Sequence, residues 1–270
     1  MILRLLLLGV LLTGFAYTSH ATDTEQWDDT GTNVEHIDHT HWQKILDSYI
    51  VEKKNNNAQP PINLFKYGSV SNDDKTVLAQ YLKKLQSIDP RDYAKEEQFA
   101  YWVNLYNAAT VDLILKNYPV KSITKLGGIL SFGPWDKEIL TVADEAITLN
   151  DIEHKILRPI WKDARIHYAV NCASYSCPNL SATAFTSKNA DTLLEQAAKD
   201  YVNHPRAVHI KDDTLELSEI YKWYAEDFGE SEQDVVAHIS NYAEPDLAQK
   251  LKAFDGDIDY DYDWSLNEAK

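Results

Sequence analysis

The sequence predicts an α+β fold, a single mainly helical domain with a small antiparallel sheet and hairpins. Apolar residues recur with three-and-four spacing in several long segments, which is typical of amphipathic helices. Shorter runs of alternating apolar and polar residues lie between turn residues, which is typical of strands and hairpins. Hydrophobic residues make up 44% of the 270-residue chain, a share that suffices for a packed core.

Two segments have the clearest helical pattern. The residues Ser-Asn-Asp-Asp at 71–74 predict the cap of a helix that ends near residue 87. The segment 94–117 places aromatic and apolar residues on a common face and is predicted to be the central core helix. Weaker patterns predict further helices over residues 42–51, 150–160, 190–203, 218–228, 234–242 and 246–254.

Extended structure is predicted in four places. Residues 138–149 and 207–217 are each predicted to form a hairpin, because two extended runs flank turn residues. The alternating segment 165–170 predicts a buried strand. In residues 255–264, aspartates alternate with apolar and aromatic residues, which predicts a strand whose aromatic face packs on the body of the protein.

The N-terminus has the pattern of a cleavable secretory signal. Arg4 precedes an apolar run, and a small-x-small ending closes at Ala21. We therefore expect residues 1–21 to be removed and the mature chain to be secreted or, in a Gram-negative host, periplasmic. No later segment has the roughly 20 apolar residues that a membrane span needs. We expect residues 22–95 to form an N-terminal helical extension that packs on a core of residues 96–270.

The charge balance limits the kinds of partner. The chain has 42 acidic and 26 basic residues and a formal net charge of −16. Nucleic acids and anionic membranes bind to positive patches, so this charge disfavours both. We expect a small molecule or a peptide as the ligand, and the sequence assigns neither its identity nor an oligomeric state.

We predict no metal and no cofactor. His36, His39 and His41 lie close together near the first helix, but a flexible, solvated lead-in explains them better than a metal site. Cys172 and Cys177 are separated by four residues and have no second pair, which does not fit a zinc site.

Glu153 is the least expected residue of its predicted helix. By three-and-four spacing it falls on the apolar face. A buried carboxylate must be paired or hydrogen-bonded, because otherwise its pKa rises until it is neutral. Arg158, Arg165 and His167 are the candidate partners, and such a pair fits a purely structural role as well as a functional one. His154 follows Glu153 directly but lies about 100° further round the helix.

The segment around the two cysteines is the best candidate for chemistry. In one interpretation Cys172 and Cys177 form a local disulfide, which an oxidising compartment permits. In the other, Cys172 is a nucleophile, His167 takes its proton and Glu153 orients the imidazole. On a straight strand His167 and Cys172 point to opposite faces, so this interpretation needs a bend at Asn171. A thiol–disulfide switch combines the two, although the spacing is not the Cys-x-x-Cys of common oxidoreductases.

Asn104 and Asn107 complete the set of candidate residues. Both lie in the predicted core helix, where a buried amide must find hydrogen-bond partners. Such residues either tie down a neighbouring loop or line a site. In a thiol enzyme, one of the two amides would donate to the oxyanion.

Four motifs in the same order resemble the family called domain of unknown function 547. In this sequence they are WVNLYNA at 102–108, IEHKILR at 152–158, RIH at 165–167 with NC at 171–172 and SCP at 176–178, and YDWSLN at 262–267. The resemblance covers about residues 96–267. It implies one α+β domain that occurs as an exported bacterial protein and as a module of larger eukaryotic proteins, and it implies no particular activity.

Two functions of different classes are consistent with these observations. The first is an exported thiol-dependent hydrolase or transferase that acts on amide or peptide bonds in the cell envelope, with Cys172, His167 and Glu153 as catalytic residues. The alternative is a non-enzymatic envelope module, for binding or structure, in which a Cys172–Cys177 disulfide is structural. The residues predicted to support the candidate site around Cys172, His167 and Glu153 are His154, Arg158 and Arg165.

Overall fold

The computed structural model describes residues 24–54, 59–128 and 132–270. The predicted signal sequence, residues 1–21, lies outside the described residues. No helix within the described ranges is long and apolar enough to cross a membrane. The α-helices in this part of the chain are α1 Thr24–Trp27, α2 Thr40–Tyr49, α3 Asn72–Gln86, α4 Lys95–Asn117, α5 Arg158–Trp161, α6 Ile166–Ala169, α7 Ala190–Val202, α8 Ile220–Trp223, α9 Ala225–Phe228, α10 Glu232–Tyr242 and α11 Pro245–Ala253.

Short strands connect these helices, which confirms the predicted mainly helical α+β fold. They are β1 Ile50–Lys53, β2 Ile62–Phe65, β3 Leu140–Val142, β4 Glu145–Ile147, β5 Val208–Lys211, β6 Thr214–Ser218 and β7 Asp257–Asp261.

Helix α4 is the centre of the fold and is buried on most of its surface. A helix at the surface keeps a polar face, whereas one that other elements surround does not. Its last residue is Asn117, because Pro119 drives Tyr118 out of the helical region into extended backbone. Helix α3 packs beside it and begins as predicted, with the Ser71 hydroxyl accepting the Asp74 N–H.

The strands form two hairpins and one three-stranded sheet. β1 pairs with β2 and β3 with β4, both antiparallel. Ala143 and Asp144 have positive φ in the β3–β4 turn, as a type I′ hairpin turn requires. β5 and β6 form the second predicted hairpin, and β7 joins β6 in parallel. The three-stranded sheet is therefore mixed, because helices α8–α11 lie between β6 and β7 and return the chain in the same direction.

The predicted strand at 165–170 was wrong. This segment contains the short helix α6. Four residues make about one helical turn, so an apolar-polar alternation of this length does not distinguish a strand from a helix. The helix follows a turn at Asp163, whose carbonyl accepts the Ile166 N–H and whose carboxylate accepts the Arg165 N–H. These local bonds favour the helical state.

The predicted helix at 150–160 consists of two different parts. Asp151–Leu157 is a π-helix, and α5 continues it. Turns of π-helix are rare and often lie at functional sites. This one contains both Glu153 and His154, the two polar residues that the sequence singled out.

Buried apolar side chains form two clusters that meet at α6. The first cluster contains most of the buried apolar side chains of α2, α3, α4 and the π-helix. The second contains most of those of α7, the β5–β7 sheet and α8–α11. Ile166 and Ala169 belong to the first cluster, whereas Tyr168 belongs to the second. His167 and the loop after α6 therefore lie where the two clusters meet.

Candidate active site

A turn stabilised by Asn171 presents Cys172. The Asn171 Oδ1 accepts the Ala173 N–H at 2.9 Å, and its Nδ2 donates to the Pro178 carbonyl at 2.7 Å. Ala173 has a φ of +59°, a left-handed conformation that few residues other than glycine adopt. Unusual backbone of this kind clusters at functional sites. Cys172 precedes the turn and is half-buried.

Asn104 and Asn107 each hold a loop in place. The Asn107 Nδ2 donates to the Ala169 carbonyl at 2.9 Å, and its Oδ1 accepts the Asn171 N–H at 2.8 Å. Asn104 makes the same pair of bonds with the backbone of Phe185. Neither asparagine lines the cavity described below. Their described contacts are those of loop anchors rather than of oxyanion donors.

The sulfur of Cys172 lies among hydrogen-bond donors. Its Sγ is 3.0 Å from Ser174 Oγ and 3.2 Å from Tyr262 Oη, and these two hydroxyls are 2.8 Å apart. The Cys172 N–H donates to Cys177 Sγ at 3.0 Å. Both cysteines are free thiols in the structure. Each hydroxyl has one proton, so an ionised Cys172 can accept from both of them.

These donors favour the thiolate of Cys172. Burial by itself raises the pKa of a thiol, because a charge is poorly solvated inside a protein. Hydrogen bonds from Cys177, Ser174 and Tyr262 outweigh burial and lower the pKa of Cys172 to about 7. Burial and the neighbouring Cys172 raise the pKa of Cys177 well above its usual value. The pair therefore carries its negative charge on the less buried sulfur.

His167 lies between two carboxylates. Its Nε2 is 2.6 Å from Asp227 Oδ2, and its Nδ1 is 3.5 Å from Glu153 Oε1 without the alignment of a hydrogen bond. Its ring stacks on Tyr224 with 4.2 Å between centroids. Burial disfavours the imidazolium, but the two carboxylates outweigh burial and raise the pKa of His167. No hydrogen bond between His167 and Cys172 is present in the described part of the chain.

Glu153 is buried, and its ionic partner is His167 rather than an arginine. Burial acts to raise the pKa of Glu153. The contact with His167, the nearby His154 and a hydrogen bond from Tyr106 outweigh burial and lower this pKa. The carboxylate is therefore ionised, and together with His167 it forms a buried ion pair.

The three predicted supporting residues contact other partners, and none of them lines the cavity described below. Arg158 pairs with Asp227 and Glu226, so it contacts the second carboxylate of the His167 bridge instead of Glu153. The His154 Nδ1 is 3.3 Å from an Arg158 guanidinium nitrogen. Arg165 pairs with acidic side chains of its own turn and of α7.

One cavity brings three of the predicted catalytic residues together. It has a volume of about 470 Å³ and is lined by Cys172, His167 and Glu153, a size typical of small-molecule sites. Much of its wall is aromatic, formed by Tyr106, Phe132, Trp135, Trp223, Tyr224, Tyr262 and Trp264.

Three side chains of this site were not predicted from the sequence. Tyr262 lies in the last of the four motifs, but we expected it only to pack on the body of the protein. Ser174 lies between the cysteines in a loop to which we assigned no donor. Asp227 is one of 42 acidic residues and has no local pattern that distinguishes it.

The three histidines near the first helix have other contacts. The His36 Nδ1 is 3.1 Å from a Glu97 carboxylate oxygen, and the His39 Nδ1 is 2.7 Å from the Tyr81 hydroxyl. Burial lowers the pKa of His39 to about 4, so its ring is neutral at physiological pH. The described residues contain no group of three or more His, Cys, Asp or Glu side chains placed to hold a metal ion.

The fold and the site define a class, a mainly helical α+β domain with a hydrogen-bonded thiol in an aromatic cavity. Residues 90–202 match the model of a family described as "Protein of unknown function, DUF547". This segment is therefore similar to the DUF547 family. The match contains Glu153, His167 and both cysteines, and it ends before Trp223 and the C-terminal strand. No curated protein and no solved structure matches the chain.

Proposed function

We propose that the protein is a thiol-dependent hydrolase or transferase that acts on amide or peptide bonds, with Cys172 as its nucleophile. The observation that supports this proposal best is the environment of the Cys172 sulfur. The Cys172 thiol has hydroxyl donors at 3.0 and 3.2 Å, and its pKa is about 7. Cys172 also lines a cavity. Thiolates are the reactive form of cysteine, and lowered pKa values with partial exposure mark catalytic cysteines.

The geometry changes the roles that the sequence suggested. Because the donors stabilise the thiolate directly, His167 does not have to remove its proton. An imidazolium with a raised pKa is instead a proton donor. The Nδ1 of His167 has no aligned hydrogen bond, so it is the nitrogen that can transfer a proton to the substrate, with Glu153 stabilising the charged ring.

The proposed reaction has two steps. Cys172 attacks the carbonyl carbon, the C–N bond breaks, and His167 gives a proton to the leaving nitrogen, which leaves a thioester. Water or an acceptor amine then attacks the thioester, loses a proton to His167 and releases the thiolate. As the first C–S bond forms, the sulfur loses its charge, so the hydroxyls of Ser174 and Tyr262 become available to the oxyanion.

Alkylation of the folded protein tests this proposal. We expect iodoacetamide to add once, at Cys172, with a rate that rises with pH around a midpoint near 7, below the value of about 8.5 for a free cysteine. Cys177→Ser should keep the adduct and Cys172→Ser should lose it, both measured by intact mass. A midpoint at or above that of a free cysteine, or an adduct mapped to Cys177, would refute the assignment.

The contact between the two cysteines favours a second candidate, a non-enzymatic envelope module with a Cys172–Cys177 disulfide. The Cys172 N–H lies 3.0 Å from Cys177 Sγ, and the two thiols hydrogen-bond. In this case the protein purified without reductant would be about 2 Da lighter than the dithiol form and would take no adduct.

Both candidates include export to the cell envelope. The pattern of residues 1–21, a basic residue before an apolar run with a small-x-small ending, supports this part of the proposal. Cell fractionation followed by intact mass is the test. We expect the protein in the periplasm or the medium with its N-terminus near residue 22, and an uncleaved cytoplasmic chain would contradict export.

A further inference from the structure

We propose that the cavity at Cys172 binds a cationic amine, so that the substrate is an amide or peptide with an ammonium group near the bond that is cleaved. This inference rests on the proposed function for the bond, but the binding preference can be measured independently. Three features of the cavity support it: a continuous aromatic wall, two carboxylates without an ion pair among the described residues, and a lack of basic side chains in the described lining.

The aromatic wall is built around Trp264. Its ring lies 4.6 Å from Tyr262, 5.2 Å from Phe132, 5.5 Å from Trp223 and 5.7 Å from Trp135, measured between centroids. Phe132 is 68% exposed and Trp223 is 41% exposed. Exposed aromatic rings that line a cavity are typical of binding sites. Their faces carry negative partial charge and attract cations.

The charged groups of the cavity are mostly negative. Glu153 lines the cavity and is paired with His167, whose other ring nitrogen contacts Asp227 outside the cavity lining. Asp136 and Glu219 also line the cavity, and neither has an ion pair among the described residues. No lysine or arginine from the described ranges lines it. With Cys172 ionised, the cavity therefore has an excess of negative charge.

This combination selects among ligands. A carboxylate or phosphate would meet like charges without a basic partner, so the cavity disfavours anions. A neutral ring could stack on the wall but would gain nothing from Asp136 and Glu219. An ammonium group satisfies both features, because the aromatic faces and the carboxylates attract the same charge.

Three probes of nearly equal size test the preference. Benzylammonium, benzyl alcohol and benzoate share a phenyl ring and differ in charge. We expect benzylammonium to bind Cys172→Ser protein at least ten-fold more tightly than benzyl alcohol in calorimetry, with no measurable binding of benzoate. It should also slow the alkylation of Cys172 in the wild-type protein. Equal affinities for the alcohol and the ammonium, or tighter binding of benzoate, would overturn the inference.

Charge-neutral variants locate the site. The double variant Asp136→Asn and Glu219→Gln should weaken benzylammonium binding at least five-fold and leave benzyl alcohol unchanged. Glu216→Gln, which changes a carboxylate on β6 outside this cavity, is the matched control and should have no effect. An unchanged affinity in the double variant would place the cation elsewhere and refute the site.

The two proposals fail in different ways. Preferential benzylammonium binding with an unreactive Cys172 would refute the thiol mechanism and leave the binding inference standing. A reactive Cys172 without any preference for the cation would refute the binding inference alone.

Discussion

Tyr262 has a particular importance among the donors at the Cys172 sulfur. Ser174 belongs to the same loop as the cysteine, whereas Tyr262 comes from the C-terminal segment and contacts both Cys172 and Ser174. Its own pKa is raised well above the usual value, first by burial and then by the cysteine charges. The hydroxyl therefore keeps its proton and remains a donor.

We expect Tyr262→Phe to raise the pKa of the Cys172 thiol. A hydrogen bond to a charged group contributes about 1.5–3 kcal/mol, which corresponds to about 1–2 pKa units at about 1.4 kcal/mol per unit. The pH dependence of iodoacetamide alkylation measures this shift. Tyr260→Phe is the control, since that hydroxyl donates to Glu232 at the surface. An alkylation midpoint that stays near 7 in Tyr262→Phe would show that the other donors suffice.

The backbone of Ala173 is the second special feature at this scale. Ala173 has left-handed backbone and is fully buried, so both the branching and the size of the side chain at this position are restricted. We expect Ala173→Val to destabilise the protein by about 1–3 kcal/mol through overpacking, with a further loss because a β-branched side chain fits left-handed backbone less well than alanine does. Ala173→Gly should stay within about 1 kcal/mol of the wild type, because relief of strain offsets the lost methyl group and the added chain entropy. Urea unfolding measures both, and equal stability of the two variants would contradict the steric argument.

At the residue scale, the groups with distinctive chemistry were predictable from the sequence, but their partners were not. Glu153 stood out because a carboxylate on an apolar face needs an explanation, and Cys172 because of its position after an apolar segment. The pairing of His167 with Asp227 joins residues 60 positions apart. A local pattern cannot contain such a contact, so only the fold reveals it.

The His167 bridge joins three elements: α6, the π-helix with Glu153, and α9 with Asp227. The pKa of His167 is raised in the folded protein. The charged imidazole therefore stabilises the fold fully below the unfolded-state pKa of about 6.5. This stabilisation is lost as pH rises through the pKa of His167 in the folded protein. The lowered pKa values of the two carboxylates mean that their contribution is present above about pH 4.5 and is lost in acid. The bridge is therefore strongest between these limits.

We expect His167→Gln to be most destabilising in this pH range. Removal of one partner from a buried ion pair costs about 3–5 kcal/mol, and the difference from wild type should shrink as pH rises above about 6.5. Urea unfolding at pH 6, 7.5 and 9 measures it, with the exposed His41→Gln as a control. A difference that is the same at all three pH values would indicate that His167 is neutral in the folded protein.

At the element scale, long amphipathic helices were predictable, whereas short segments were not. The limits of α3 and α4 agree with the predicted ones, because many apolar positions define both helices and Ser71 caps the start of α3. Helix α6 has four residues, too few for a period to be distinguished. No sequence period indicated the π-helix over Asp151–Leu157.

On the scale of the whole molecule, the C-terminal segment connects the two hydrophobic clusters. β7 pairs with β6 in the second cluster, and the chain then returns to the first, where Asn267 carbonyl accepts the Phe65 N–H at 2.9 Å. Between these points lie Tyr262 and Trp264, which complete the cavity. The strand was predictable from its alternation, but its parallel partner was not, because that pairing depends on the path of four intervening helices.

Asn267 fixes the C-terminal segment where it passes from the second cluster to the first. We expect its substitution to make the turn at Cys172 less rigid, although its described hydrogen bonds go to residues other than Cys172 itself. Asn267 is buried, its Oδ1 accepts the Tyr67 hydroxyl at 2.9 Å, and its Nδ2 donates to Asn171 Oδ1 at 3.3 Å. Asn267→Ala leaves the buried Tyr67 hydroxyl without this partner, which costs about 1–3 kcal/mol. It also frees the turn that presents the nucleophile, so we expect Cys177, protected in the wild type, to become alkylated.

A double-mutant cycle separates this contact from a general loss of packing. Once Asn267 is absent, removing the Tyr67 hydroxyl should cost little, since no buried donor is then left unpaired. The combined loss of stability in Asn267→Ala with Tyr67→Phe should therefore be smaller than the sum of the two single losses in urea unfolding. Additive losses would mean that the two side chains act independently, and the C-terminal segment would then stabilise the site through its aromatic residues alone.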